Sequence, residues 1–171
     1  DLHRARTNES IDAVVLRVNS PGGAVGASES LYLAVRQTAA QKPVIANVAG
    51  SAASGGYMTA IGSDYIYTTP SSTVGSVGVY GTLPPAQISN VESTVTSAPT
   101  KGTAGTPEEV RRSIERMKQT FVGLVMDERA SNLTVDRDQV SRAKVYTGSR
   151  AVELGFADEV GGRQAAIETA A

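Results

Sequence analysis

Two short segments, Val44-Ile-Ala-Asn-Val48 and Ser51-Ala-Ala-Ser-Gly-Gly-Tyr57, carry the strongest local signals in the sequence. The first is an apolar run bounded by Pro43 and Gly50, which is typical of a short buried strand. The second places Ser54 among small residues, directly before a stretch that suits a buried helix ending near residue 62. The sequence therefore predicts a strand-to-helix junction with Ser54 at its centre.

A serine at such a junction has two interpretations. With little side-chain bulk around it, its hydroxyl can be approached, and the backbone N–H groups that follow point at whatever it attacks. Alternatively, the small residues only form a turn that lets a helix pack close to a sheet. The segment alone favours the second interpretation, so the rest of the chain must decide between them.

Strand and helix patterns alternate through the first part of the chain. Residues 1–12 finish a helix, residues 13–18 form a buried strand rich in β-branched side chains, and residues 19–23 form a sharp turn with Pro and two Gly. A helical pattern follows up to Lys42, and after the serine segment Tyr65-Ile-Tyr67 forms a third strand. Strands separated by helices at this spacing predict an α/β fold with a largely parallel sheet.

The second part of the chain begins with a loop-rich segment, residues 71–105, which is too long for a simple connection and suggests a binding loop or an interface. Thr106 and Glu109 form a predicted capping box, with Pro107 in the first turn, and start an amphipathic helix that ends near residue 129. A strand at 144–147, a short helix at 149–154, an extended run at 156–160 and a last helix after Gly162 follow. We expect a single domain over residues 1–171.

Composition narrows the classes of function. The 171 residues include 16 basic and 17 acidic side chains, and this net charge of −1 without a basic stripe argues against nucleic-acid binding. The chain has no Cys and a single His, His3, so we expect no metal site and no cofactor. No apolar run is long enough to span a membrane. Because the chain begins at Asp1 without a signal peptide, we expect a fragment whose membrane anchor lies elsewhere.

A nucleophilic serine needs a base that removes its proton, together with donors for the developing oxyanion. His3 lies in the frayed start of the chain, so a Ser-His-Asp triad is disfavoured, and a lysine made neutral by burial is the main alternative. The four lysines are Lys42, Lys101, Lys118 and Lys144. We expect Lys42 to be solvated, Lys118 to extend along the surface of the long helix, and Lys144 to open a strand. An exposed loop residue is the simplest interpretation of Lys101, but exclusion makes it the best candidate base.

Six segments in order resemble the signal peptide peptidase A (SppA) family of serine proteases, over about residues 10–165. They are Val14-Val-Leu-Arg-Val-Asn-Ser-Pro-Gly-Gly23, Lys42-Pro-Val, Ala52-Ala-Ser-Gly-Gly-Tyr57, Asp64-Tyr-Ile, Thr73-Val-Gly-Ser-Val-Gly-Val79 and Val145-Tyr-Thr-Gly-Ser-Arg-Ala-Val-Glu-Leu-Gly155. The resemblance implies a ClpP/crotonase-type fold of stacked ββα units. It also implies a strand before the first helix, which this chain lacks.

The resemblance further implies a Ser–Lys dyad. Ser54 matches the family's nucleophile, and Lys101 matches its general base, which precedes a long amphipathic helix. Gly23 matches a backbone donor of the oxyanion hole, and an N–H of the Ser54–Gly55 turn is its expected companion. One departure is Gly102, where many relatives carry an acidic residue after the base.

By resemblance, the substrates are extended peptides such as signal-peptide remnants, with small or apolar residues near the scissile bond. The relatives assemble into homo-oligomeric rings and act at the outer face of the cytoplasmic membrane, anchored by a segment outside this chain. Three alternatives remain: a phage capsid-maturation protease with the same core, a crotonase-type acyl-CoA enzyme, and a non-catalytic ring-forming scaffold.

Overall fold

The structure is a computed structural model that describes residues 1–83 and 106–171. In these two ranges one sheet holds the strands β1 (Val14–Ser20), β2 (Val44–Ala53), β3 (Tyr65–Thr68), β4 (Thr73–Gly75), β5 (Val145–Thr147) and β6 (Glu159–Val160). The helices are α1 (Leu2–Thr7), α2 (Val25–Ala39), α3 (Gly55–Ala60), α4 (Pro107–Glu128), α5 (Arg137–Val140), α6 (Gly148–Glu153) and α7 (Arg163–Ala170).

The central strand is β2, which pairs with three neighbours. It runs parallel to β1 along one edge, while β3 pairs with its first half and β4 with Ser51–Ala53 at its end. The strand β6 adds to β3 in parallel, and β5 adds to β4 in antiparallel orientation. The sheet is therefore mostly parallel, as predicted, and the carboxyl end of β2 leads directly to Ser54.

Alternate residues of β2 face two different cores. Ala46 and Val48 join the larger core with side chains from α3 and α4, whereas Ile45 packs with Tyr67 and Ala166 beneath α7. Burial on both faces explains why this strand reads as a continuous apolar run instead of an alternating one. The first five residues of β2 are all buried. They anchor in the core the strand that leads to Ser54.

The local predictions are largely confirmed, with four differences. Strand β2 continues through Gly50 to Ala53, because its last residues pair with β4. Strand β1 is only half-buried, since Val18 alone is fully enclosed in it. The sequence prediction missed β4 and α5, which have three and four residues. The predicted loop-rich segment therefore contains a strand at its start, and Lys101 lies outside the described residues.

Candidate active site

Ser54 occupies a strained turn between β2 and α3. Its backbone has φ 52° and ψ −124°, a combination that L-residues rarely adopt. The turn is fixed on both sides: the Ser54 N–H donates to the Gly75 carbonyl at 2.8 Å, and the Ser54 carbonyl accepts from the Met58 N–H at 2.9 Å. The side chain is half-buried, and its Oγ makes no hydrogen bond with any residue that the structure describes. The predicted strand-to-helix junction is confirmed, with Ser54 between β2 and α3.

The turn after β1 packs directly on Ser54. The Asn19 Oδ1 atom accepts from the Ser51 N–H at 3.1 Å, and the Ser20 Oγ atom accepts from the Gly22 N–H at 3.2 Å. Gly22 has φ +111°, and a Cβ on it would lie 2.7 Å from the Ser54 Cβ. Only glycine fits this position, because it needs both the left-handed backbone and the missing side chain.

Two backbone donors lie beside the serine. A Cβ on Gly55 would lie 3.4 Å from the Gly23 nitrogen and would overlap the Ser28 hydroxyl, so the two glycine backbones approach each other closely. The nitrogens of Gly23 and Gly55 have no hydrogen-bond acceptor in the described part of the chain. Unpartnered N–H groups next to a nucleophile can hold a developing oxyanion. The structure thus brings together three of the four predicted site residues, Ser54, Gly23 and Gly55.

A cavity of about 930 Å³ opens over Ser54. Its lining includes the turn Pro21–Val25 and Ser54, together with Ser76, Val79, Ser141 and Ala143 from later segments. This volume is within the range of ligand pockets. The lining is mainly small, apolar or hydroxyl-bearing, which suits an extended peptide passing the serine.

Backbone strain concentrates on this cavity. In the described ranges the non-glycine residues with positive φ are Ser54, Ser76 and Ala143, and all three line it. Ser76 is held by its N–H, which donates to the Lys144 carbonyl at 2.9 Å. Strained residues are retained where the surrounding structure fixes them, and they cluster at functional sites.

The described lysines occupy three different environments. Lys42 is not solvated as predicted, because its Nζ donates to the carbonyls of Ala5 and Asn8 at 2.9 and 2.6 Å and so closes the end of α1. Lys144 is exposed and lines a second, smaller cavity. Lys118 lines the Ser54 cavity instead of lying only along the helix surface. The sequence did not predict that Lys118 lines this cavity. Its position beside the apolar stripe of α4 was the one signal that pointed towards the protein interior.

His3, which the sequence analysis disfavoured as a base, does not line the Ser54 cavity. His3 is exposed in α1, where its Nδ1 lies 3.2 Å from the Arg6 Nη2. Within residues 1–83 and 106–171, no His, Cys, Asp or Glu side chains gather into a group of three that could hold a metal ion. No helix in those ranges is both long enough and apolar enough to cross a bilayer.

A serine on a strained strand-to-helix turn, facing unpartnered backbone N–H groups, is the arrangement with which serine hydrolases carry out acyl transfer. The profile of Peptidase family S49 matches residues 36–171. The chain belongs to this family.

Named relatives cover nearly the whole chain. It is 34% identical over 188 residues to Protease 4 of Salmonella typhi, covering 99% of this chain and 29% of that protein. It is 30% identical over 182 residues to the chloroplastic serine protease SPPA of Arabidopsis thaliana, covering 99% of this chain and 27% of that protein. The chain thus spans less than a third of the length of these two relatives, and the predicted SppA resemblance is confirmed.

Solved structures show the same fold. The 1510-N membrane-bound stomatin-specific protease, in a variant with a bound substrate peptide, superposes with a TM-score of 0.61 at 18% sequence identity, covering 99% of this chain and 69% of that one. A second variant of that protease superposes with the same TM-score and covers 94% of this chain. The predicted ClpP-like fold is therefore confirmed.

Proposed function

We propose that this chain is a serine endopeptidase that uses Ser54 as its nucleophile and Lys101 as its general base. The observation that carries the proposal is the strained Ser54 turn, whose hydroxyl lies beside the backbone N–H groups of Gly23 and Gly55, all three without a hydrogen-bond partner among the described residues. Exclusion among the lysines leaves Lys101 and Lys118, since Lys42 is engaged at the end of α1 and Lys144 lines a different cavity. The solvent contact of Lys118 and its carboxylate neighbour Glu115 favour Lys101 as the base. The SppA resemblance supports the same residue.

The reaction proceeds in two acyl-transfer steps. Neutral Lys101 takes the Ser54 proton while Oγ forms a bond to the peptide carbonyl carbon, and the oxyanion accepts hydrogen bonds from the Gly23 and Gly55 N–H groups. The C–N bond then breaks, and the Lys101 ammonium gives its proton to the leaving amine. Water attacks the resulting ester, its proton passes to Lys101, and Ser54 leaves and recovers a proton from that lysine.

The proposed substrates are signal-peptide remnants or other extended peptides with small or apolar residues near the scissile bond. The cavity over Ser54, with its mainly small and apolar lining, suits such a peptide. By family likeness, the active form is a homo-oligomeric ring on the outer face of the cytoplasmic membrane. Its contact with the membrane would come from a segment other than the helices described above.

Labelling with a serine-reactive fluorophosphonate tests the catalytic assignment in the full-length protein. We expect Ser54→Ala to abolish labelling, and Lys101→Met to slow it by about 10²- to 10⁴-fold, the usual contribution of a general base. The wild-type rate should rise from neutral to alkaline pH, as the lysine becomes neutral. Lys144→Met is the matched control, because it removes a lysine that lines a different cavity, and it should label at the wild-type rate.

Two outcomes would contradict the proposal. Labelling of Lys101→Met at the wild-type rate would move the base to another residue or to a neighbouring subunit. A folded wild-type protein that neither labels nor cleaves any peptide would support the non-catalytic scaffold.

A further inference from the structure

The Ser54 cavity has one charged side chain among its described lining residues, and that side chain is Lys118. The remaining lining consists of glycines, small apolar residues, serines and the Tyr80 ring. Lys118 comes from the middle of α4, far along the chain from the serine. Among the described lining residues, this one positive charge stands in an otherwise neutral wall and makes that part of the cavity electrostatically asymmetric.

Among the described residues, the ion-pair partner of Lys118 is a weak one, Glu115. Its Nζ lies 3.5 Å from the Glu115 Oε1, and the two side chains are 28% and 57% exposed. This distance is long for a charge-assisted hydrogen bond, and ion pairs exposed to this degree contribute little to stability. Glu115 has another partner, because the Gln119 amide donates to its Oε1 at 2.8 Å. Lys118 can therefore turn from Glu115 towards a ligand at small cost.

The surroundings of Glu115 keep that carboxylate ionised. A hydrogen bond from Gln119 is the main cause that lowers the pKa of Glu115, and the charge of Lys118 is a further cause. Glu115 therefore remains satisfied by Gln119 when Lys118 moves. An ammonium group has three donors and no acceptor, so its natural ligand is an anionic oxygen.

We propose that Lys118 is a specificity-determining residue that binds a carboxylate of the substrate inside the Ser54 cavity. The carboxylate is either an Asp or Glu side chain near the scissile bond or the free C-terminus of the peptide. This inference rests on the proposed peptidase function and deepens it. It adds a preference for an anionic group to a cavity whose other described lining residues are neutral.

A role as the general base fits Lys118 less well. A lysine base has to be neutral, and enzymes obtain a neutral lysine by desolvation away from carboxylates. Lys118 keeps contact with solvent and has a carboxylate neighbour at 3.5 Å. The geometry therefore assigns it to binding, and Lys101 remains the proposed base.

The test compares peptides that differ only in one charge. A neutral substrate peptide is varied by placing Glu or Gln at each position around the cleavage site, and by ending it as a free acid or as an amide. These two series distinguish a side-chain carboxylate from a terminal one. The readout is the ratio of kcat/KM for the acidic peptide to that for its neutral twin, with KM and kcat measured separately.

In the full-length wild-type protein we expect at least one acidic peptide to exceed its twin by about two- to fivefold, mostly through a lower KM. Lys118→Met should bring this ratio close to one, and Lys118→Glu should invert it. Arg116→Met is the matched control, because it removes one positive charge from the exposed surface of the same helix, and it should keep the wild-type ratio. Affinities for the same peptides measured with Ser54→Ala give a readout that needs no turnover.

Each outcome decides something definite. Cleavage without any acidic preference, or a preference that persists in Lys118→Met, overturns the inference and leaves the peptidase function intact. Loss of Ser54 labelling in Lys118→Met also overturns it, because Lys118 would then be the base. If the wild-type protein cleaves nothing, the proposed function fails, and the affinity ratios with Ser54→Ala still decide whether Lys118 binds carboxylates.

Discussion

At the scale of single residues, the site depends on a backbone conformation of Ser54 that costs free energy of folding. Ser54 carries a side chain at a backbone position that glycine would occupy more easily, and such residues cost on the order of 1–3 kcal/mol each. The hydrogen bonds to Gly75 and Met58 hold Ser54 in place. Because Ser54 lines the cavity, its strained backbone lies at the proposed reaction site, where the proposed function would set stability against reactivity.

This conflict leads to a prediction that compares Ser54→Gly with Ser54→Ala. Both variants lose the hydroxyl and should lose labelling, but only glycine relieves the positive φ. After allowing for the greater flexibility of glycine in the unfolded chain, we expect Ser54→Gly to be more stable than Ser54→Ala by about 1 kcal/mol. Urea denaturation midpoints measure the difference. If Ser54→Gly were instead less stable than Ser54→Ala by the ordinary cost of glycine flexibility, about 0.5–1 kcal/mol, the turn would not be strained.

Part of this residue-scale picture could be predicted from the sequence, and part could not. Small residues after an apolar run were enough to predict the Ser54 junction, because both signals are local. The fit of Gly22 against Ser54 depends on two turns meeting across the sheet, which no local pattern contains. Lys118 was misplaced for the same reason: helical spacing gives the face it occupies, whereas the cavity opposite that face is formed by distant segments.

At the scale of elements, the sequence predicted a helix or strand most accurately where several local signals coincided. Helix α4 was predicted from Thr106, Pro107 and Glu109, and the structure shows the complete capping box. The Thr106 N–H donates to Glu109 Oε2 at 2.7 Å, and the Glu109 N–H donates to Thr106 Oγ1 at 3.2 Å. Strand β4 escaped prediction because its three residues gain their conformation only by pairing with β2 and β5.

The capping box predicts a stability difference that depends on pH. The hydrogen bond from the Thr106 N–H is the main cause that lowers the pKa of Glu109. A carboxyl whose pKa is depressed by folding stabilises the protein above its unfolded pKa, about 4.3. That contribution is lost as the pH falls through the folded pKa. We therefore expect Glu109→Gln to be less stable than wild type at neutral pH, and the gap to close in acid.

Thr106→Ala provides the contrasting variant for this experiment. It removes the other half of the box, and loss of an N-cap hydroxyl usually costs about 1 kcal/mol, or roughly 2–4 °C in Tm for a chain of this size. Because the hydroxyl does not titrate, most of this loss should persist at low pH. A Glu109→Gln gap that stayed constant from neutral pH to about pH 3 would exclude a titrating capping box.

At the scale of the whole molecule, a buried ion pair connects the end of α4 to the sheet. Arg129 donates to both Asp158 oxygens at 2.9 and 2.8 Å and to the Gly155 carbonyl at 3.0 Å. Asp158 also accepts from the Ile66 N–H and from the Asn132 amide, each at 2.8 Å. Since α4 carries Lys118 to the cavity, this cluster fixes where the helix lies relative to the sheet that carries Ser54.

The last prediction concerns that ion pair. Arg129 and Asp158 side chains are 6% and 10% exposed, so Arg129→Met leaves a buried carboxylate with neutral partners only and should cost about 3–5 kcal/mol. Arg36→Met is the control, because its pair with Glu128 is half-exposed, and it should cost less than about 1 kcal/mol. Urea midpoints measure both, and Arg129→Lys should recover part of the loss by keeping the charge. If Arg129→Met cost no more than Arg36→Met, the position of α4 would be set by apolar packing alone, and the cavity wall that carries Lys118 would not depend on this pair.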